Sequence, residues 1–162
     1  MSTWIALLLA LLTTPPIGAT LTSAQNTGES LWFSNPSLGL KGTITPISGS
    51  RFEIIVITLG DTPVAAELRQ FTLVAADKSA YEPIAAGGGA ELIFPIDSMP
   101  LGRELGQILP SDALVSLKRT TPTTVLLEAD AHATLAFVFQ VPEGAALRAL
   151  RLPDGAQLTL AR

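Results

Sequence analysis

A succession of short strand-like segments, each bounded by turn residues, most constrains what this 162-residue chain can fold into. Residues 51–59 read RFEIIVITL and are dense in the β-branched residues that favour strands. Because both faces of this segment are apolar, we expect a central strand covered on both sides or nearly so. Residues 134–141 alternate between two faces, which is also typical of a strand. The expected inward set is Leu135, Phe137, Phe139 and Val141, and the expected outward set is Thr134, Ala136 and Gln140.

Further strands are predicted by alternation and by turn residues at both ends of a segment. Residues 113–118 and 123–128 form one predicted hairpin, and residues 147–152 and 156–160 form another. The remaining predicted strands are residues 38–47, 71–74, 81–84 and 91–96. Roughly eight to ten short strands at such spacing predict an all-β, antiparallel sandwich or barrel.

Three segments depart from simple strand patterning. Residues 64–70 fit either helical spacing or an extended segment, and the β surroundings favour the extended one. The glycine run at residues 87–89 predicts a mobile loop, because glycine loses the most backbone entropy on folding. Residues 98–110 predict a short helical insertion, since Pro100 suits a first helical turn and four apolar side chains share one face. Those four are Leu101, Leu105, Ile108 and Leu109.

The amino-terminal segment has the pattern of an export signal. Residues 5–12 read IALLLALL, two threonines and two prolines follow, and small residues continue to Ala24. An apolar run and then small residues predict signal-peptide cleavage after Ala24, with Ala19 as the second site. Residues 1–4 carry no Lys or Arg, so the usual positive charge comes only from the amino terminus. The alternative is an uncleaved anchor, but the run is less than half of the about 20 apolar residues that a span needs.

These patterns divide the chain into three parts. Residues 1–24 are the predicted signal peptide, residues 25–30 a flexible lead, and residues 31–162 a single β domain. We therefore expect an exported protein, located in the periplasm or on the cell surface, with no membrane span after cleavage. The chain has no cysteine, so packing alone must hold the domain together in an oxidising compartment.

One family resemblance rests on the order of strands and turns. Residues 51–83 read RFEIIVITLGDTPVAAELRQFTLVAADKSAYEP, and LAFVFQVP at residues 135–142 is followed by LRL at residues 150–152. This order resembles the small secreted immunoglobulin-like sandwich domains of bacterial surfaces, a type that includes a mycobacterial secreted immunogenic protein. The chain departs from that type in having Gly60 where Asn is frequent and in a longer segment between Gly87 and Asp130. The resemblance implies an immunoglobulin-like fold and an extracytoplasmic compartment, and it implies no reaction or catalytic residues.

Composition excludes several function classes. Without cysteine there is no disulfide scaffold, thiolate metal site or cysteine nucleophile. The formal net charge of -4 provides no positive stripe for nucleic acid. An apolar content of 48% with 15% charged residues argues against disorder.

Catalytic chemistry has little support in the sequence. His132 is the only histidine, and alternation places Asp130 on the same side of an extended segment. No Gly-x-Ser-x-Gly motif supplies a serine nucleophile, so we expect a solvated turn histidine and no enzyme. A hydrolase with two carboxylates on loops is the remaining catalytic alternative.

Cofactors and metals are likewise not predicted. One histidine cannot form a transition-metal site. Aspartates in turns leave a calcium site at one end of a sandwich as an alternative, although aspartate is common in turns for its own backbone hydrogen bonds. These residues are Asp61, Asp77, Asp97, Asp112, Asp130 and Asp154.

The remaining hypothesis is interaction with another protein. We expect a non-catalytic binding module for an envelope or surface protein, acting through a sheet face, an edge strand or end loops. A structural or assembly factor of an envelope complex is the alternative. The candidate contacts are Trp32, Leu101, Leu105 and Ile108, each of which has a competing role in the core.

Overall fold

The computed structural model describes residues 16–35, 40–88 and 115–161. These residues form antiparallel strands and a single 3₁₀ turn, so the predicted all-β class is confirmed. The strands are β1 (Thr20–Thr27), β2 (Leu31–Asn35), β3 (Leu40–Ile44), β4 (Ser50–Thr58), β5 (Val64–Glu67), β6 (Thr72–Ala75), β7 (Ala80–Tyr81), β8 (Pro83–Gly88), β9 (Val115–Thr121), β10 (Thr124–Ala129), β11 (Thr134–Pro142), β12 (Leu147–Arg151) and β13 (Gln157–Thr159). The 3₁₀ turn is Leu68–Gln70. Within these ranges, no helix is long and apolar enough to cross a membrane.

The strands form four hydrogen-bonded groups. The large sheet has the order β1-β4-β11-β8, and the three-stranded sheet has the order β5-β10-β9. A C-terminal sheet has the order β13-β12-β6-β7, and β2 and β3 form a separate two-stranded ribbon. Strands distant in sequence therefore lie side by side, with β11 between β4 and β8.

The centre of the large sheet is the β4–β11 pair. Its register runs from Thr134 opposite Thr58 to Pro142 opposite Ser50. One face carries Ile55 and Phe137, both fully buried in the main core. The sequence prediction that residues 51–59 form a central strand is confirmed, because this strand has a neighbour on each side.

The main core joins three sheets. Phe137 of the large sheet stacks on Phe71, with ring centroids 4.8 Å apart. Leu127 of the three-stranded sheet and Leu150 of the C-terminal sheet are fully buried in the same cluster. Burying each such side chain contributes about 1.5–3 kcal/mol, which is the main source of stability in a chain without disulfides.

The opposite face of the large sheet is also covered. Phe52 and Val138 are fully buried there, and Leu31 and Ile44 of the ribbon pack against their cluster. Ala136 is only 6% exposed, so its predicted outward position is wrong. The alternation of residues 134–141 predicts two faces, but it does not predict that a ribbon from a distant part of the sequence covers the second face.

Two hairpins are confirmed with shifted ends. Strands β9 and β10 pair antiparallel across a turn at residues 122–123. Strands β12 and β13 pair in the same way near the carboxyl end. The ambiguous residues 64–70 divide into strand β5 and the 3₁₀ turn, so the extended interpretation holds for the first half.

Two predicted loops are corrected. The lead predicted at residues 25–30 is strand through Thr27, because β1 pairs along β4. Gly87 and Gly88, predicted as loop, lie in β8 opposite Ala136 and Leu135. A neighbouring strand supplies their hydrogen-bond partners, and glycine in a strand allows close backbone approach. The strand predicted at residues 91–96 and the helix predicted at residues 98–110 lie outside the described residues.

Candidate functional site

The candidate site is an apolar groove of about 340 Å³ beside strand β5. Residues 62–66 form one wall, and Ile17, Pro153 and Asp154 form the other. Apart from Thr62 and Asp154, every lining side chain is apolar. Ligand sites in proteins share this character, since an apolar lining with a few polar groups gives both burial and orientation.

The first wall is a strand edge within the described part of the chain. Pro63 follows the turn after β4, and β10 is the one described strand that pairs with β5. At its end, the backbone N–H of Glu67 donates to Oε1 of Gln70 at 3.1 Å. Because Gln70 accepts this N–H, Glu67 does not donate it to β10, and backbone groups of alternate residues point to the same side of a strand. By this alternation, we expect the N–H and C=O of Ala65, two residues earlier, to point away from β10.

Ala65 is one of the residues that line the groove. Its side chain is exposed. Within the described residues, it forms no backbone hydrogen bond outside the β5–β10 pair. A free donor and acceptor on one residue are what an added strand requires.

The second wall is held rigidly by Asp154. The backbone N–H of Ile17 donates to one carboxylate oxygen at 3.0 Å. The N–H of Ala156 donates to the other, also at 3.0 Å. Ile17 is only 8% exposed and reaches the main core. Because both oxygens of Asp154 accept backbone hydrogen bonds, this wall is formed before any ligand binds.

His132 pairs with Asp61, whereas alternation in the sequence placed Asp130 on its side. Its Nε2 lies 3.1 Å from Oδ1 of Asp61, and the two side chains are 69% and 96% exposed. The N–H of His132 donates to the carbonyl of Gly60 at 2.9 Å, and its φ is 64°. This is a solvated pair just before the start of β11.

A second acid–base pair lies at the other end of the β4–β11 pair. Nε of Arg51 lies 2.8 Å from Oε1 of Glu53, whose side chain is completely buried. The same guanidinium donates to the carbonyls of Pro142, Glu143 and Ala145. The guanidinium N–H groups of Arg51 thus stabilise the β11–β12 turn, which gives this pair a structural role.

The turn aspartates of the described ranges were the candidates for a calcium site. Oδ1 of Asp77 accepts a hydrogen bond from the N–H of Ser79 at 2.9 Å. This backbone bond, together with the Ser79 side chain, lowers the pKa of Asp77 below its ordinary value of 3.8. Residues 16–35, 40–88 and 115–161 hold no cluster of three or more potential metal ligands. Asp97 and Asp112 lie outside these ranges.

The predicted partner contacts are not tested by the groove, whose described lining residues are Ile17, Pro153, Asp154 and residues 62–66. The backbone of Trp32 lies on β2 opposite Thr43. Leu101, Leu105 and Ile108 lie outside the described residues. Sequence reasoning missed Ala65 and Ile17, because an edge is defined by sheet order and neither residue has a distinctive local pattern.

Comparisons with known proteins assign no relative to this arrangement: no family model, no curated protein and no solved structure matches the chain.

Proposed function

We propose that this protein is a non-catalytic binding module that takes an extended segment of a partner protein along β5. The observation that carries the proposal is the position of Ala65 beside an apolar groove on β5, where no described residue bonds its backbone outside the β5–β10 pair. In this mode, main-chain hydrogen bonds align the added strand, and pockets receive every second side chain.

The free energies of hydrogen bonding and of apolar burial indicate which part of the site supplies affinity. A hydrogen bond contributes a net of about 0.5–1.5 kcal/mol, so the two from Ala65 set register more than strength. An apolar side chain buried in the groove contributes about 1.5–3 kcal/mol. The partner segment should therefore carry apolar residues at alternate positions, because only those reach the groove.

The proposal also includes the type of β-sandwich and the compartment in which the protein acts. We take the domain to be an immunoglobulin-like sandwich, supported by the residue order at positions 51–83 and by one core shared among three sheets. We take it to act outside the cytoplasm, on an envelope or surface protein, supported by the apolar run at residues 5–12. The proposed binding function requires no cofactor.

The test is selection of peptides from a displayed library of random dodecapeptides against the immobilised full chain. Selected peptides are then titrated against the wild-type chain and two variants. Ala65→Pro removes the N–H at the strand edge and leaves the hydrogen bonds between β5 and β10 in place, because proline is tolerated on strand edges. Ala65→Val is the matched control, since it has similar bulk and keeps the donor.

We expect selected peptides to alternate apolar residues, to bind the wild-type and Ala65→Val chains, and to lose binding to Ala65→Pro. Equal binding to the proline and valine variants would overturn the proposal, as would a library that yields no binder above background. Circular dichroism of each variant confirms that the β-structure is retained.

A further inference from the structure

We infer that residues 17–24 are part of the folded domain and remain on the mature protein, so that any export leader ends before Ile17. This inference does not depend on the proposed function. It concerns the site of processing, which the small residues of the sequence place after Ala24 or Ala19.

The pairing of β1 with β4 is the first argument. Seven residue pairs join the two strands, from Thr20 opposite Thr58 to Thr27 opposite Phe52. Four of the seven pairs involve residues up to Ala24. Hydrolysis of the peptide bond after Ala24 would remove those four and leave one edge of β4 open beside the core. Exposed strand edges promote aggregation, which makes this an unfavourable product.

Side-chain packing is the second argument. Ile17 is buried in the main core, and Leu21 and Ala24 pack against the same cluster. The N–H of Ile17 is tied to the carboxylate of Asp154, a residue 137 positions away in sequence. A segment that is discarded has no need for a long-range contact of this kind.

Backbone fit at Gly18 is the third argument. Gly18 has a φ of +61°, a conformation that side-chain-bearing residues rarely adopt. A Cβ built on Gly60 would lie 2.6 Å from the carbonyl oxygen of Gly18. The absence of a side chain at Gly60 thus permits the amino-terminal segment to dock against the end of β4.

The experiment is the intact mass of the full chain after production, with its own leader, in an exporting bacterial host. We expect a product that begins at or before Ile17, which includes the unprocessed chain. A product that begins at Thr20 or Gln25 would overturn the inference.

A variant makes the mass measurement sharper. Thr22 is exposed and occupies the third position before the predicted cut after Ala24. Thr22→Lys places a large charged residue where a small one is required, so it would block cleavage there. We expect the product mass to change only by the substitution. Accumulation of unprocessed chain in this variant alone would show that Ala24 is the cleavage site and would overturn the inference.

Amide hydrogen exchange on the unprocessed full chain gives a second readout that does not depend on the host. We expect the amides of residues 20–24 that face β4 to exchange as slowly as those of β4 itself. Exchange at the rate of an unstructured peptide would overturn the inference. Neither readout involves a bound peptide, so failure here and failure of the binding proposal are distinguishable.

Discussion

The two ends of the β4–β11 pair each carry an acid–base pair, in opposite surroundings. At one end, the Arg51 and Glu53 side chains are 15% and 0% exposed. At the other end, His132 and Asp61 are 69% and 96% exposed. The atom separations are similar, at 2.8 Å and 3.1 Å, so distance alone does not distinguish the two pairs.

Burial decides what each pair contributes. A buried charge must be paired and hydrogen-bonded, and losing a charged partner is costly because less of its desolvation is then offset. An exposed pair is screened by water and salt and contributes about 0–1 kcal/mol. The Arg51 end is therefore held by side chains. The His132 end is held by the backbone, where the N–H of Leu59 donates to the carbonyl of Ala133 at 2.9 Å.

The largest expected effect is at Arg51. Arg51→Ala removes the guanidinium beside the fully buried carboxylate of Glu53 and frees the carbonyls of the β11–β12 turn. We expect a loss of about 3–5 kcal/mol in the free energy of unfolding, measured by urea denaturation. Arg51→Lys should lose less, because it keeps the charge but cannot donate to several acceptors at once. If Arg51→Ala lowered the free energy of unfolding by less than about 1 kcal/mol, as expected of an exposed pair, burial would not distinguish the two pairs.

The next effect concerns the backbone at the other end. Gly60→Ala places a Cβ 2.6 Å from the carbonyl oxygen of Gly18. We expect a loss of about 1–3 kcal/mol, typical of overpacking, in the same denaturation experiment. Gly144→Ala is the matched control, since nothing lies within 4 Å of its Cβ. Equal stability of the two alanine variants would show that residues 17–18 are not docked in solution.

Sequence reasoning identified the strands of this comparison but not their surroundings. The β-branched content of residues 51–59 and the alternation of residues 134–141 predict strands, and both are local properties of the sequence. The pairing of Gly87 and Gly88 with β11 is not local, so a glycine run was interpreted as a loop. The same holds for residues 25–27, which become strand only because β4 offers an edge.

The candidate site was less predictable than the fold. An edge strand such as β5 is defined by which strands pair, and Ala65 is an ordinary residue in sequence. The Asp130–His132 alternation was readable, but the turn gives His132 a positive φ and directs it to Asp61. The sequence gives the spacing of charged residues within one turn. Which distant residue they contact is known only from the fold.

A smaller effect is expected from the exposed pair itself. Asp61→Asn removes the charge next to His132 and leaves the backbone hydrogen bonds of this end in place. We expect the free energy of unfolding to change by less than about 1 kcal/mol at low salt, and by less at high salt. Urea denaturation at two salt concentrations measures this. A loss comparable to that of Arg51→Ala would mean that burial does not separate the two ends.

The smallest expected effect is at Asp77, an exposed carboxylate held only within its own turn. The hydrogen bond from the N–H of Ser79 lowers the folded-state pKa below the ordinary value of 3.8, so the folded state releases this proton more readily than the unfolded state. Stability from this group is therefore present above the ordinary value and is lost as pH falls through the folded pKa. Thermal unfolding should show Asp77→Asn slightly less stable than wild type near neutral pH, with the difference shrinking in acid. Glu82→Gln, at another exposed position, gives the effect of losing one surface charge. A difference that grows in acid would mean that the charged form of Asp77 does not stabilise the turn.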